Sequence, residues 1–182
     1  LAEQLALVLA QAEIDIPDIL KPLQDARPKT PVDWYTLLEK GKGDAAAGRR
    51  TFFHSQSAGC YNCHTINGRG EQVGPDLSQI GGALNRKRLA ESILEPSKEI
   101  APQFVSWTFL MESGKVHTGM ILGDTRDNLQ RIGTSTGEVI SLKTNEIEER
   151  HPQQKSLMPD VLHKNLTVTE FLDLLAFLES LK

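Results

Sequence analysis

The side chains best able to do chemistry in this 182-residue sequence stand together, as Cys60-Tyr61-Asn62-Cys63-His64. The two cysteines are the only ones in the chain, and an imidazole follows the second at once. Two thiols at this spacing on a tight turn can each add to one vinyl group of a single haem, and the next residue then projects its ring toward the iron. C-x-x-C-H is the pattern of c-type haem attachment. It implies one covalent haem c, held through Cys60 and Cys63, with His64 as an iron ligand.

Other chemistries also use a C-x-x-C pair. A thioredoxin-like dithiol is expected near a βαβ pattern, and nothing before Cys60 reads as a buried strand followed by a helix. A structural zinc site needs four ligands, yet there is no second C-x-x-C and no H-x₃₋₅-H pair among His54, His64, His117, His151 and His163. Two cysteines this close cannot make a disulfide framework. Three fixed positions in five are a short pattern, so the surrounding elements must carry the decision.

The formal charge of −4 leaves no basic field of the kind that nucleic-acid binding requires. No apolar run approaches the roughly 20 residues of a transmembrane helix, and the first residues lack the basic start of a secretory signal. Leu1, Leu5, Val8, Leu9 and Ala12 recur instead at helical spacing. Because the chain begins at Leu, it reads as a processed product or a piece of a longer protein.

Stepping outward along the chain, residues 27–34, with Pro28 and Pro31, read as a linker into a short helix near Trp34 to Lys40. Arg86 to Glu95 reads as a helix ended by Pro96, with Arg86 and Arg88 either pairing with haem propionates or simply solvated. Thr167-Val168-Thr169-Glu170 is a capping box opening a helix whose Phe171, Leu174, Leu175 and Leu178 form an apolar stripe. Residues 98–152 differ from both flanks. Phe104 to Met111 and Val116 to Leu122 alternate as strands about a Glu112-Ser113-Gly114-Lys115 turn; Asn128 to Ile132 and Glu138 to Leu142 flank a turn at Thr136-Gly137, and Glu146 to Glu148 makes a fifth strand. About five short strands suggest a small antiparallel barrel or sandwich, and a separate folding unit that a flexible loop would replace.

In order and spacing, residues 43–97 and 153–182 resemble the class I cytochrome c family. Gly43 to Phe53 looks like its first helix, with Asp44 as N-cap and Gly48 and Phe52 on one face. Leu174 and Phe177 match the positions that pack on the glycine of that helix. Gly74-Pro75-Asp76-Leu77 is similar to the loop whose proline carbonyl accepts a hydrogen bond from the ligand histidine. Ser156-Leu157-Met158-Pro159 resembles the loop that supplies the second iron ligand, which implies Met158. Met111 and Met120 lie in strand-like stretches and read as core. His151 and His163 flank the ligand loop and are its rivals. The whole pattern, with the β-rich block between Ser97 and Ser156, also resembles the planctomycete-type haem-binding domain, which often closes a longer polypeptide.

The resemblance implies a mainly α cytochrome c fold around a covalent haem with the inserted antiparallel β unit, α+β overall. The divisions are an N-terminal helical segment and linker (1–42), a haem domain (43–97 plus 153–182) and the insertion (98–152). The metal ligands implied are His64 and Met158, with Cys60, Cys63 and Pro75 completing the cofactor-binding set. The activity implied is one-electron transfer between redox partner proteins, a dehydrogenase as donor and a cytochrome or oxidase as acceptor. No catalytic residue, no nucleic acid and no transmembrane segment is implied, and the location is periplasmic or otherwise extracytoplasmic. The alternatives are a haem sensor or peroxidase-like enzyme with an open distal site, and a partner-binding β module stabilised by haem.

Overall fold

The computed structural model describes residues 1–54, 58–123 and 127–182. The chain enters through α1 (Ala2–Gln11), which buries Ala6 and Leu7, and the short α2 (Lys21–Asp25). Helix α3 (Pro31–Lys40) is opened by a reciprocal capping box between Thr30 and Asp33, with Pro31 in the first turn, where its missing N–H costs nothing. Trp34 and Leu38, one turn apart, are 2% and 1% exposed and belong to the main apolar core. The segment that reads as a linker is therefore the entry to a core helix. Arg27 lies 5.3 Å over the Trp34 ring and donates to the His163 carbonyl at 2.9 Å, tying this entry down.

Among the described residues the α part continues with α4 (Ala45–Phe52), α5 (Ile80–Ala83), α6 (Arg86–Leu94) and α7 (Val168–Ser180). Asp44 caps α4 by accepting from the Ala46 and Ala47 amides, and Thr167 with Glu170 caps α7. Helices α4 and α7 cross closely because Gly48 has no side chain: a Cβ there would sit 1.9 Å from the Asp173 carbonyl oxygen and 2.8 Å from Phe177 Cβ. Phe52 meets Phe177 edge-on at 5.9 Å, and Leu174 and Phe171 are buried in the same apolar core. Arg86 bolts α6 to this core. Its guanidinium donates to the Leu38 and Gly41 carbonyls at 2.8 Å each and pairs with Glu179 of α7. Arg88 pairs with Glu91 and Glu99. Both arginines thus serve protein partners, with Arg86 clamping three elements.

Residues of the β-rich block form one antiparallel sheet of β1 (Ser106–Met111), β2 (Val116–Ile121), β3 (Leu129–Gly133), β4 (Val139–Lys143) and β5 (Ile147–Pro152), ordered β4-β3-β2-β1-β5. Gly114 (φ +78°) and Gly137 (φ +88°) take the left-handed conformation in the two hairpin turns. Phe109, Met111, Ile132 and Leu142 make a second apolar cluster, distinct from the helical core, with Ile147 of β5 against it. Met111 and Met120 are each 6% exposed on their strands, as core side chains.

The sheet also touches the rest of the protein away from its ends. A Cβ on Gly137 would fall 2.0 Å from the Asn62 carbonyl oxygen, and one on Gly133 would fall 2.6 Å from a Val73 methyl. The β3–β4 hairpin therefore lies directly against the C-x-x-C-H segment. No helix among the described residues is long and apolar enough to cross a membrane.

Candidate haem-attachment site

Gly59, at φ +60°, turns the chain into a single 3-10 turn over Cys60–Asn62. The Cys63 and His64 amides both donate to the Cys60 carbonyl, at 3.2 and 3.0 Å, so the two thiols and the imidazole leave one tightly wound segment. Both cysteines are free and partly exposed as residues. At the thiols themselves burial dominates, pushing Cys60 up to about 12 and raising Cys63. Thiol–disulfide catalysts need the opposite, a thiolate favoured near neutral pH. A thioredoxin-like role has no electrostatic support here.

His64 is fixed by its surroundings. Its Nδ1 lies 2.9 Å from the Pro75 carbonyl, which can only accept, so Nδ1 carries the proton and Nε2 keeps its lone pair in the neutral ring. Burial holds the imidazole below its ordinary pKa, with the Pro75 bond pulling the other way. The ring is thus neutral at neutral pH, which is the form that ligates a metal. Gly74 makes the approach of Pro75 possible, since a Cβ there would lie 2.6 Å from His64 Cε1 and 2.8 Å from Nδ1. The Gly74 amide donates to Cys63 at 2.6 Å, the Leu77 amide to Thr65 at 2.9 Å, and the Asn67 amide to Ser78 Oγ at 2.7 Å. These bonds stitch the proline loop to the motif loop along their length.

Met158 is half-buried and packs on the same helical core as Cys60, Tyr61, Leu77, Ile80 and Leu84. Its loop is pinned from outside the helical part. The Gln153 amide donates to the Ser106 carbonyl at 2.8 Å, and Ser106 Oγ donates to the Lys155 carbonyl at 2.9 Å. The Ser156 amide donates to Ser97 Oγ, and the Met158 amide to Ser156 Oγ, each at 3.1 Å. The rival histidines are placed otherwise: His151 is exposed on β5 beside Glu149, and His163 packs edge-on against Trp34 at 6.1 Å.

Two thiols, a neutral imidazole with its Nε2 lone pair and a set of half-buried apolar side chains together fit a haem. Among the described residues no group of three or more His, Cys, Asp and Glu side chains converges as a cation cage would require. Gly70, where a Cβ would fall 2.2 Å from the His64 carbonyl oxygen, and Ser106 support the site without having been singled out in the sequence.

A comparison with curated proteins found no match. The family model of cytochrome c matches residues 45–125, less than half of the chain. The matched segment runs from α4 through Cys60, Cys63, His64 and Pro75 into the sheet, and it stops before Met158 and α7. That match, lying on the segment that presents the two thiols and the oriented imidazole, supports a c-type cytochrome with haem c as its group and electron transfer as its work.

Proposed function

We propose that the protein is a monohaem electron carrier in which Cys60 and Cys63 hold the haem and His64 and Met158 ligate its iron. The observation that carries this reading is the Nδ1–H to Pro75 carbonyl bond at 2.9 Å, which leaves Nε2 of the residue next to the thiols as the unprotonated nitrogen of the neutral ring. When bound, the haem supplies a one-electron ferric/ferrous couple. The residues do the rest. Cys60 and Cys63 would hold it by addition of each S–H across one vinyl group, which needs no oxidant. The Pro75 carbonyl holds the imidazole in one tautomer and raises its basicity as a donor. The Met158 thioether, a soft ligand, raises the reduction potential relative to a second nitrogen ligand. Were His64 and Met158 both to hold the iron, no open site would be left for oxygen or peroxide, so the protein is read as a carrier and not an enzyme.

The finer expectations belong to the same proposal. The chain is a planctomycete-type haem-binding domain whose sheet forms a small barrel or sandwich, supported by the apolar cluster to which all five strands contribute. It works in an extracytoplasmic compartment, taking electrons from a fused or partner dehydrogenase and giving them to a respiratory acceptor. Visible spectra of the oxidised and reduced protein test the ligation. His/Met ligation gives a far-red sulfur-to-iron band in the oxidised state, which Met158→Ala abolishes. Rapid carbon monoxide binding by the unmutated reduced protein would instead establish an open distal site and favour the sensor or peroxidase reading.

A further inference from the structure

The inserted sheet and the ligand loop meet at one buried hydroxyl. Ser106 is the first residue of β1 and is 2% exposed, a polar side chain placed where an apolar one would ordinarily stand. Its Oγ donates to the Lys155 carbonyl at 2.9 Å, and its own carbonyl accepts from the Gln153 amide at 2.8 Å. One residue thus takes two bonds to the segment that leads into Met158. A second hydroxyl, Ser97 Oγ, accepts from the Ser156 amide at 3.1 Å, just ahead of the sheet. Ser156 Oγ in turn accepts from the Met158 amide. The backbone of the loop from 153 to 158 is held at four points, and two of them come from the head of β1.

We propose that Ser106 is a positioning residue for Met158, and that the β insertion sets the strength of the methionine–iron bond by holding this loop. The inference rests on the reading of Met158 as an iron ligand. A loop free to move carries its thioether away from the iron part of the time. Each fixed backbone group lowers the population of that detached form. Removing the Ser106 hydroxyl deletes one hydrogen bond and leaves the Lys155 carbonyl short of a partner, which raises the detached population roughly three- to tenfold. The sheet itself is expected to persist, because its cluster of Phe109, Met111, Ile132 and Leu142 does not involve Ser106.

The test uses the haem-loaded full chain and three variants, Ser106→Ala, Ser106→Thr and Ser97→Ala. Three readouts are taken: the rate of carbon monoxide binding to the reduced protein, the far-red band of the oxidised protein and amide exchange across residues 153–158. Ser106→Ala should bind carbon monoxide roughly three- to tenfold faster, should weaken the far-red band and should exchange faster at Gln153 and Met158. Ser106→Thr, which keeps a hydroxyl, should return all three toward the unmutated values. Faster exchange in Ser106→Ala with an unchanged carbon monoxide rate and band would overturn the proposal, since the loop would then move without reaching the iron, while leaving the Met158 reading intact. Absence of the far-red band from the unmutated protein would overturn both. If Ser106→Ala does not take up haem, Ser97→Ala decides by the same readouts.

Discussion

Gly74→Ala should damage the histidine site from a position that makes no bond to any cofactor. A Cβ built on Gly74 lies 2.6 Å from His64 Cε1 and 2.8 Å from Nδ1, well inside the 3.4–4 Å of ordinary contact. The ring has to withdraw by about 1 Å, which stretches the 2.9 Å bond to Pro75 beyond hydrogen-bonding range. Losing that bond costs about 1 kcal/mol. Crowding a packed site costs about 1–3 kcal/mol more. The sum, about 2–4 kcal/mol, lowers the melting temperature of a chain this size by roughly 4–16 °C. Gly82 provides the matched control: it is exposed on α5, and a Cβ there meets nothing within 4 Å. Gly82→Ala should therefore hold stability or raise it by about 0.5–1 kcal/mol through the better helix propensity of alanine. Circular-dichroism melts of the two holoprotein variants beside the parent decide the matter. A Gly74→Ala variant that melts at or above the parent, or two variants that shift alike, would refute the contact between position 74 and the His64 ring as the cause.

Other substitutions probe other parts of the scaffold. Gly48→Ala drives a Cβ to 1.9 Å from the Asp173 carbonyl and should separate α4 from α7, costing about 3 kcal/mol or more in urea unfolding. Thr167→Ala removes one arm of the α7 capping box and should cost about 1 kcal/mol by the same measurement. Gly137→Ala places a Cβ 2.0 Å from the Asn62 carbonyl at a φ of +88°, so it should loosen the hairpin from the motif and speed amide exchange at Asn62 and Cys63. Tyr35, half-buried and bonded to Glu95, has its pKa raised first by burial and then by that carboxylate. It should release its proton only above the ordinary tyrosine range in an ultraviolet titration. The sign follows: its contribution to stability is whole below about pH 10 and is lost as pH rises toward the folded-state value.

Features encoded within a few residues were readable before the fold was known. The C-x-x-C-H turn is one 3-10 turn, and the caps at Asp44 and Thr167 are local hydrogen bonds, so spacing alone reveals them. Strands β1 to β4 end within about two residues of where alternation places them, since each presents one face to a single cluster. Strand β5 extends to Pro152 although its sequence alternates only briefly. Pairing with β1 from Trp107 to Met111 sustains it, and a partner some forty positions away leaves no local mark. Helix α3 was expected near Trp34 to Lys40 and starts three residues earlier, at Pro31, because Thr30 and Asp33 form a capping box where the two prolines of residues 27–34 read as loop signals. The supports of the site were hidden for the same reason as β5. Gly74 matters only once the proline loop has folded back on His64, and the Ser106 hydroxyl matters only because Lys155, 49 positions on, arrives beside it.

The central claim is that a single haem is bound covalently through Cys60 and Cys63, and acid-acetone extraction of the coloured protein tests it most directly. Thioether bonds survive the acid that strips a merely ligated haem, so the colour should stay with the polypeptide, and mass spectrometry of that polypeptide should show the chain plus one haem. The double variant Cys60→Ala, Cys63→Ala should release its colour. Colour in the organic phase from the unmutated protein, or zinc in place of iron on metal analysis, would contradict the account.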